Sequence, residues 1–88
     1  MKIAWTDDAW EDYLHWQKED QKILESINVL IKDIKRSPFK GLGKPEPLKF
    51  GLHGWWSRRI SGEHRLVYRV SGKGEDQQFD IAQCRYHY

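Results

Sequence analysis

Between residues 23 and 34 the chain places Ile23, Ile27, Leu30, Ile31 and Ile34 at i, i+4, i+7, i+8 and i+11. Only a period of 3.6 residues keeps such a set on one side of a backbone, so this segment must be a helix with one face in a core. Lys32, Lys35 and Arg36 gather at its carboxyl end, where cations suit the helix dipole, and Ser37-Pro38 stops it. With 88 residues there is room for one domain, 1–88, so the remaining elements must cover that stripe.

Upstream lie the β-prone "KIAWT" and then Thr6-Asp7-Asp8, where a side-chain oxygen can cap a helix and carboxylates suit its positive end. The pattern predicts a first helix over 7–19, with Trp10, Tyr13, Leu14 and Trp16 as its apolar face and Glu11, Asp12 and Lys18 solvated. Downstream, "SPFKGLGKPEP" (37–47) holds three Pro and two Gly, a composition that forbids regular structure but stiffens the loop. "WWSRRIS" and "HRLVYRV" alternate around Gly62-Glu63 as a hairpin, and a second turn, "SGKGEDQQ", leads into a last strand, "FDIAQCRYHY". The order β-α-α-β-β-β predicts an α+β fold, with two N-terminal helices packed on one face of a mainly antiparallel sheet and the other face partly open.

Strand alternation then sorts the charges. In "EHRLVYRV", Arg65, Val67 and Arg69 share one face and Leu66, Tyr68 and Val70 the other, which leaves Arg65 and Arg69 on the open side. In "WWSRRIS", Ser57 and Arg59 project opposite Trp56, Arg58 and Ile60, and sequence does not say which set faces out. In the last strand Phe79, Ile81, Gln83, Arg85 and His87 share a parity, so that face is expected to turn from apolar to cationic.

The net charge of +2 hides an asymmetry: residues 1–43 carry seven Lys/Arg against eight Asp/Glu, whereas 44–73 carry seven against two. Five of the six Arg lie beyond residue 44, and Arg presents the planar donor fork that fits phosphate. A polyanionic ligand is expected, though +2 is too weak for tight nonspecific nucleic-acid binding. Cys84 is the sole cysteine, so no intramolecular disulfide forms, and its apolar strand suggests a packed thiol rather than a nucleophile. The N-terminus has no apolar signal core and no run reaches a membrane span, which points to a soluble, cytoplasmic protein without membrane contact. Five Trp are many for so small a chain, so some of its rings are expected near the surface, where a homodimer is one way to cover them.

Three groups stand out as candidate chemistry. Glu46 sits between Pro45 and Pro47 on the stiff loop, beside Lys49; Arg65 and Arg59 are strand cations; His87, followed by Tyr88, can change protonation near neutral pH. Each taken alone reads first as an ordinary surface residue, and only the set suggests chemistry. His53 and His64 show no ligand spacing and Gly41, Gly43 and Gly51 match no phosphate-cradling loop, so no metal and no cofactor are expected. The residues by themselves fit an acid–base nuclease, an RNA-binding module without catalysis, or a protein-interaction domain, and turnover separates the first from the others.

"GKPEPLK", "WSRRI", "EHRLVY" and the terminal "CRYHY", in that order, together with "DYLHW" and "INVLIKDIKRSPF", resemble the YoeB (Txe) family of bacterial toxins within the RelE-like ribonucleases. The similarity runs over essentially the whole chain and departs chiefly at the longer 71–78 turn. The resemblance implies a microbial-ribonuclease-like fold, ribosome-dependent cleavage of messenger RNA in the decoding site, and a cognate YefM-like antitoxin. By motif it implies Glu46 as general base, His87 as general acid, Arg65 as stabiliser of the reacting phosphate and Tyr88 as a further active-site group. Lys49 and Arg59 fit supporting phosphate contacts.

Overall fold

In the computed structural model, which describes Met1–Tyr86, the elements follow in the order β1 (Lys2–Trp5), α1 (Asp7–Glu19), α2 (Gln21–Arg36), β2 (Glu46–Pro47), β3 (Trp56–Arg59), β4 (Arg65–Ser71) and β5 (Gln78–Gln83), with a 3-10 turn at Gly74–Asp76. His87 and Tyr88 lie outside the described residues. The five strands form one sheet in the order β1-β5-β4-β3-β2, antiparallel except for the parallel β1–β5 pair. The expected α+β architecture is what the chain adopts, with the short β2 edge strand as an addition. Among the described residues no helix is long and apolar enough to cross a membrane.

Both helices begin where the sequence offers an oxygen. Thr6 Oγ1 accepts the Ala9 N–H at 3.0 Å, and Asp20 Oδ1 accepts from the N–H groups of Lys22 and Ile23, ending α1 and starting α2 in one residue. The buried stripe of α2 is rotated from the expected one: Leu24, Ile27, Leu30, Asp33 and Ile34 are buried, whereas Ile23 and Ile31 are half-covered. On α1 the core residues are Ala9 and Trp16; Trp10 and Leu14, expected inside, are exposed. A single sheet cannot cover so bulky a four-residue apolar face, so Trp10 packs on Trp5 and Tyr13 at the rim, ring centroids 5.7 and 5.8 Å away. Leu66, Tyr68, Phe79, Ile81 and Cys84 supply the sheet side of the core.

The buried Asp33 has a specific partner. Arg58, fully buried, donates from Nη1 to Asp33 Oδ2 at 2.6 Å and to Leu42 O at 3.1 Å, from Nη2 to Ser37 O and Lys40 O, and from Nε to Tyr68 Oη. Tyr68 in turn donates to Pro38 O at 2.7 Å. The register therefore resolves which β3 residues face the helices: Arg58 does, and it spends its donors on the 37–42 loop instead of offering them to a ligand. The Leu42 N–H and then Arg58 hold the Asp33 carboxyl at about 2, below its ordinary 3.8. Gly41, at φ +124°, passes so close that a Cβ there would run into the Asp33 carboxylate.

A second departure lies in β5. Tyr68 pairs with Ile81 but Val67 pairs with Gln83, so Ala82 is an extra residue, a β-bulge. The bulge breaks the expected shared parity of Phe79, Ile81, Gln83 and Arg85: Cys84 turns into the core beneath α1, while Gln83 pairs across from Val67. Thr6 pins the irregularity, its hydroxyl donating to Ala82 O at 3.0 Å and its N–H to Ile81 O.

Candidate active site

The face of the sheet opposite the helices carries the charged residues in register. Glu46 pairs with Ser57, Ser57 with Val67, and Val67 with Gln83, forming one row; Arg59 pairs with Arg65 in the next row. Alternation puts Glu46, Ser57, Arg59, Arg65 and Val67 on the same side. Two strands across and two residues along, the Cα atoms of Glu46 and Arg65 are separated by roughly 12 Å.

What fixes Glu46 is the loop before it. Arg58 clasps residues 37–42, and the Arg59 N–H donates to Gly43 O at 2.6 Å, so the chain enters β2 already held on β3. Gly43, at φ +77°, leaves no room for a Cβ between Arg59 O and the Leu30 side chain. The carboxylate itself is exposed, as are Lys49 and Arg59. Glu46, Pro47, Leu48, Lys49, Phe50 and Leu52 together line a hollow of about 400 Å³.

Arg65 is not open in the manner expected. Only 8% of it is exposed, and its Nη1 donates to Ser61 O at 3.0 Å and His64 O at 3.2 Å. This anchoring holds the guanidinium in one orientation, while Nε and Nη2 have no protein partner among the described residues. Arg69, expected beside it, is exposed but committed, 3.2 Å from Asp80 and stacked over Trp55 at 4.6 Å. Ser57 Oγ, at 1% exposure, is the single buried side-chain polar atom without a partner among the described residues, and it lies between Glu46 and Val67.

The chain leading to His87 is fastened at three points. The Cys84 N–H donates to Asp12 Oδ2 at 3.1 Å, Trp16 Nε1 donates to Cys84 O at 2.9 Å, and the Tyr86 N–H donates to His64 Nδ1 at 2.7 Å. The Arg65 N–H closes the set by donating to Tyr86 O at 3.0 Å. Tyr86 holds φ +65°, a turn that carries the backbone beside Arg65. Burial pushes the Asp12 carboxyl up despite its Cys84 hydrogen bond, and burial pushes the Cys84 thiol up to about 12, as suits a packed thiol. His87 and Tyr88, both candidate site residues, fall beyond the described chain. Sequence reading missed His64, Trp16 and Asp12 here; what signal there was lay in a histidine immediately before the candidate arginine.

A two-helix, five-stranded fold of this topology is that of small RelE-like bacterial toxins: the RelBE2 toxin–antitoxin complex of Mycobacterium tuberculosis matches with a TM-score of 0.67 at 26% identity, covering 98% of this chain and 96% of that one. Over residues 5–88 the sequence matches the YoeB-like toxin of bacterial type II toxin-antitoxin systems, and the chain belongs to that family. It is 57% identical to toxin YoeB of Escherichia coli K12 over the whole of both chains. The YoeB/ParE toxin of Agrobacterium tumefaciens superposes with a TM-score of 0.98 at 57% identity, again over all of both chains. The Staphylococcus aureus YoeB, 46% identical, covers all of this chain and is covered to 98%; it has been solved as a dimer, TM-score 0.90, and in a heterotetrameric YoeB–YefM complex, TM-score 0.88.

Proposed function

We propose that this chain is a ribosome-dependent endoribonuclease, which cleaves messenger RNA in the decoding site and is silenced by a YefM-like antitoxin. RNA brings its own nucleophile, the 2′-hydroxyl, so the protein has to supply a base, an acid and a charge stabiliser, and needs no metal or other cofactor. Glu46 takes the 2′-hydroxyl proton, and His87 protonates the departing 5′-oxygen. Negative charge grows on the phosphorus oxygens between these steps, and Arg65, already fixed by Ser61 O and His64 O, meets it without reorganising. Tyr88 is the further group at the carboxyl end, and Lys49 and Arg59 contact flanking phosphates.

The observation that carries this reading is the clasp at Tyr86: the same short stretch, His64-Arg65, holds the guanidinium and receives the backbone that leads to His87. The YoeB–YefM complex and the YoeB dimer of Staphylococcus aureus support an antitoxin partner and a homodimer for this chain too. The exposed Trp10 and Leu14 are apolar surface suited to such contacts.

The test is to add purified chain to translating ribosomes and map the message by primer extension. Cleavage within the decoding site that Glu46→Gln removes and antitoxin suppresses supports the reading; an intact message, or undiminished cleavage by Glu46→Gln, defeats it.

A further inference from the structure

Phe50 is 99% exposed, more than any other large apolar side chain in the described chain. It stands four residues after Glu46 and lines the same 400 Å³ hollow, with Lys49 beside it. Its backbone is in the left-handed region, φ +56°, which an aromatic residue adopts only against steric resistance, and Gly51 follows at φ +86°. The loop is not loose: the Leu48 N–H donates to Trp55 O at 2.9 Å, the Trp55 N–H to Leu52 O at 3.1 Å, and Leu48 is buried as its anchor. A tied-down loop thus holds an uncovered ring in a disfavoured conformation beside a carboxylate and a cation.

We infer that Phe50 is a substrate contact, a platform on which one nucleobase of the bound RNA stacks when its phosphate is engaged by Lys49. The inference rests on the ribonuclease reading and adds to it the residue that grips a base. The neighbouring charge decides the class of occupant. Lys49 is exposed and lines the hollow with Phe50, so a cation stands beside an aromatic face, the combination that binds single-stranded nucleic acid. Stacking tolerates any base, so Phe50 contributes grip and position more than sequence choice.

The experiment compares wild type with Phe50→Trp, Phe50→Leu and Phe50→Ala on ribosomes programmed with one message. Loss of one base-stacking contact corresponds to a roughly 5- to 100-fold rise in KM. Phe50→Ala and Phe50→Leu are expected to show that rise with kcat within about threefold of wild type, while Phe50→Trp keeps the wild-type KM. Thermal midpoints should coincide because the ring touches no core. A Phe50→Leu enzyme with wild-type KM, a loss confined to kcat, or a loss confined to antitoxin affinity overturns the inference. Fluorescence anisotropy with a short labelled 2′-deoxy-containing RNA, which cannot be cut, reads binding alone and separates the two readings: an all-ribose message left whole on ribosomes removes the nuclease, and Phe50 is then judged by whether Ala weakens that binding and Trp restores it.

Discussion

The Tyr86 N–H donates to His64 Nδ1 at 2.7 Å, so a buried imidazole, packed edge-on to Trp16 at 4.7 Å, decides where the last residues of the chain begin. Because Nδ1 accepts this bond, it carries no proton in the folded state. We propose that His64 acts as a positioning residue for the segment that leads to His87.

His64→Leu keeps the volume and removes the acceptor, and it should lower kcat roughly 10- to 100-fold with KM little changed, since small misplacements of a catalytic group carry that cost. His64→Asn, whose Oδ1 occupies the place of Nδ1, should restore most of the rate, and His64→Gln should not. Equal kcat for the Leu and Asn variants on ribosomes contradicts the positioning role.

Arg65→Ala should slow cleavage by about 10²–10³-fold, equivalent to about 3 kcal/mol of transition-state stabilisation, and Arg65→Lys should not rescue it because a single ammonium cannot hold both carbonyls and a phosphate. His87→Gln should lose cleavage as well. Circular dichroism and antitoxin binding should show both proteins folded, and a folded Arg65→Ala variant with wild-type turnover removes Arg65 from the mechanism.

Arg58 is a cation with no ligand to bind. Arg58→Met leaves Asp33 buried beside vacated carbonyls and should cost about 3–5 kcal/mol of stability, read as a lowered urea midpoint. The loop that presents Glu46 loses its clasp in the same variant, so cleavage should fall even at temperatures where the protein remains folded.

The Asp33 carboxyl also sets an acid limit. Its folded value of about 2 lies below the ordinary 3.8, so the ionised form is favoured by folding; the resulting stability is complete above about pH 4 and disappears as pH falls through about 2. Asp33→Asn should be less stable at neutral pH and show a smaller decline across that window. Parallel curves for the two proteins between pH 4 and 2 would place the acid sensitivity elsewhere.

With its thiol held at about 12, Cys84 should resist alkylation in the native protein at neutral pH and react once urea unfolds it. Cys84→Ala should keep cleavage activity. Rapid native labelling by iodoacetamide contradicts the packed state described for it.

How much of this was legible follows from the kind of signal each part leaves. The second helix, the capping oxygen at Thr6, the Gly62-Glu63 hairpin and the order of elements are local patterns, and the fold repeats them, though the buried stripe of α2 is rotated. Arg58 reads as one more cation in a basic stretch because its partners, Asp33 and the 37–42 carbonyls, lie 16 to 25 residues away in sequence. The bulge at Ala82 has no residue type that announces it, yet it reverses which of Gln83 and Cys84 faces the core. Glu46 and Arg65 could be nominated by motif, but their common face depends on two strand registers that alternation alone leaves open.

The central claim is that the RNA attacks itself while Glu46, Arg65 and His87 manage protons and charge. A message carrying a single 2′-deoxynucleotide at the mapped cleavage position tests it directly on translating ribosomes. The all-ribose message should be cut to a 5′-hydroxyl fragment and a 2′,3′-cyclic or 3′-phosphate fragment, and the deoxy message should stay whole. Cleavage of the deoxy message at that position, or fragments bearing a 5′-phosphate, would contradict the account.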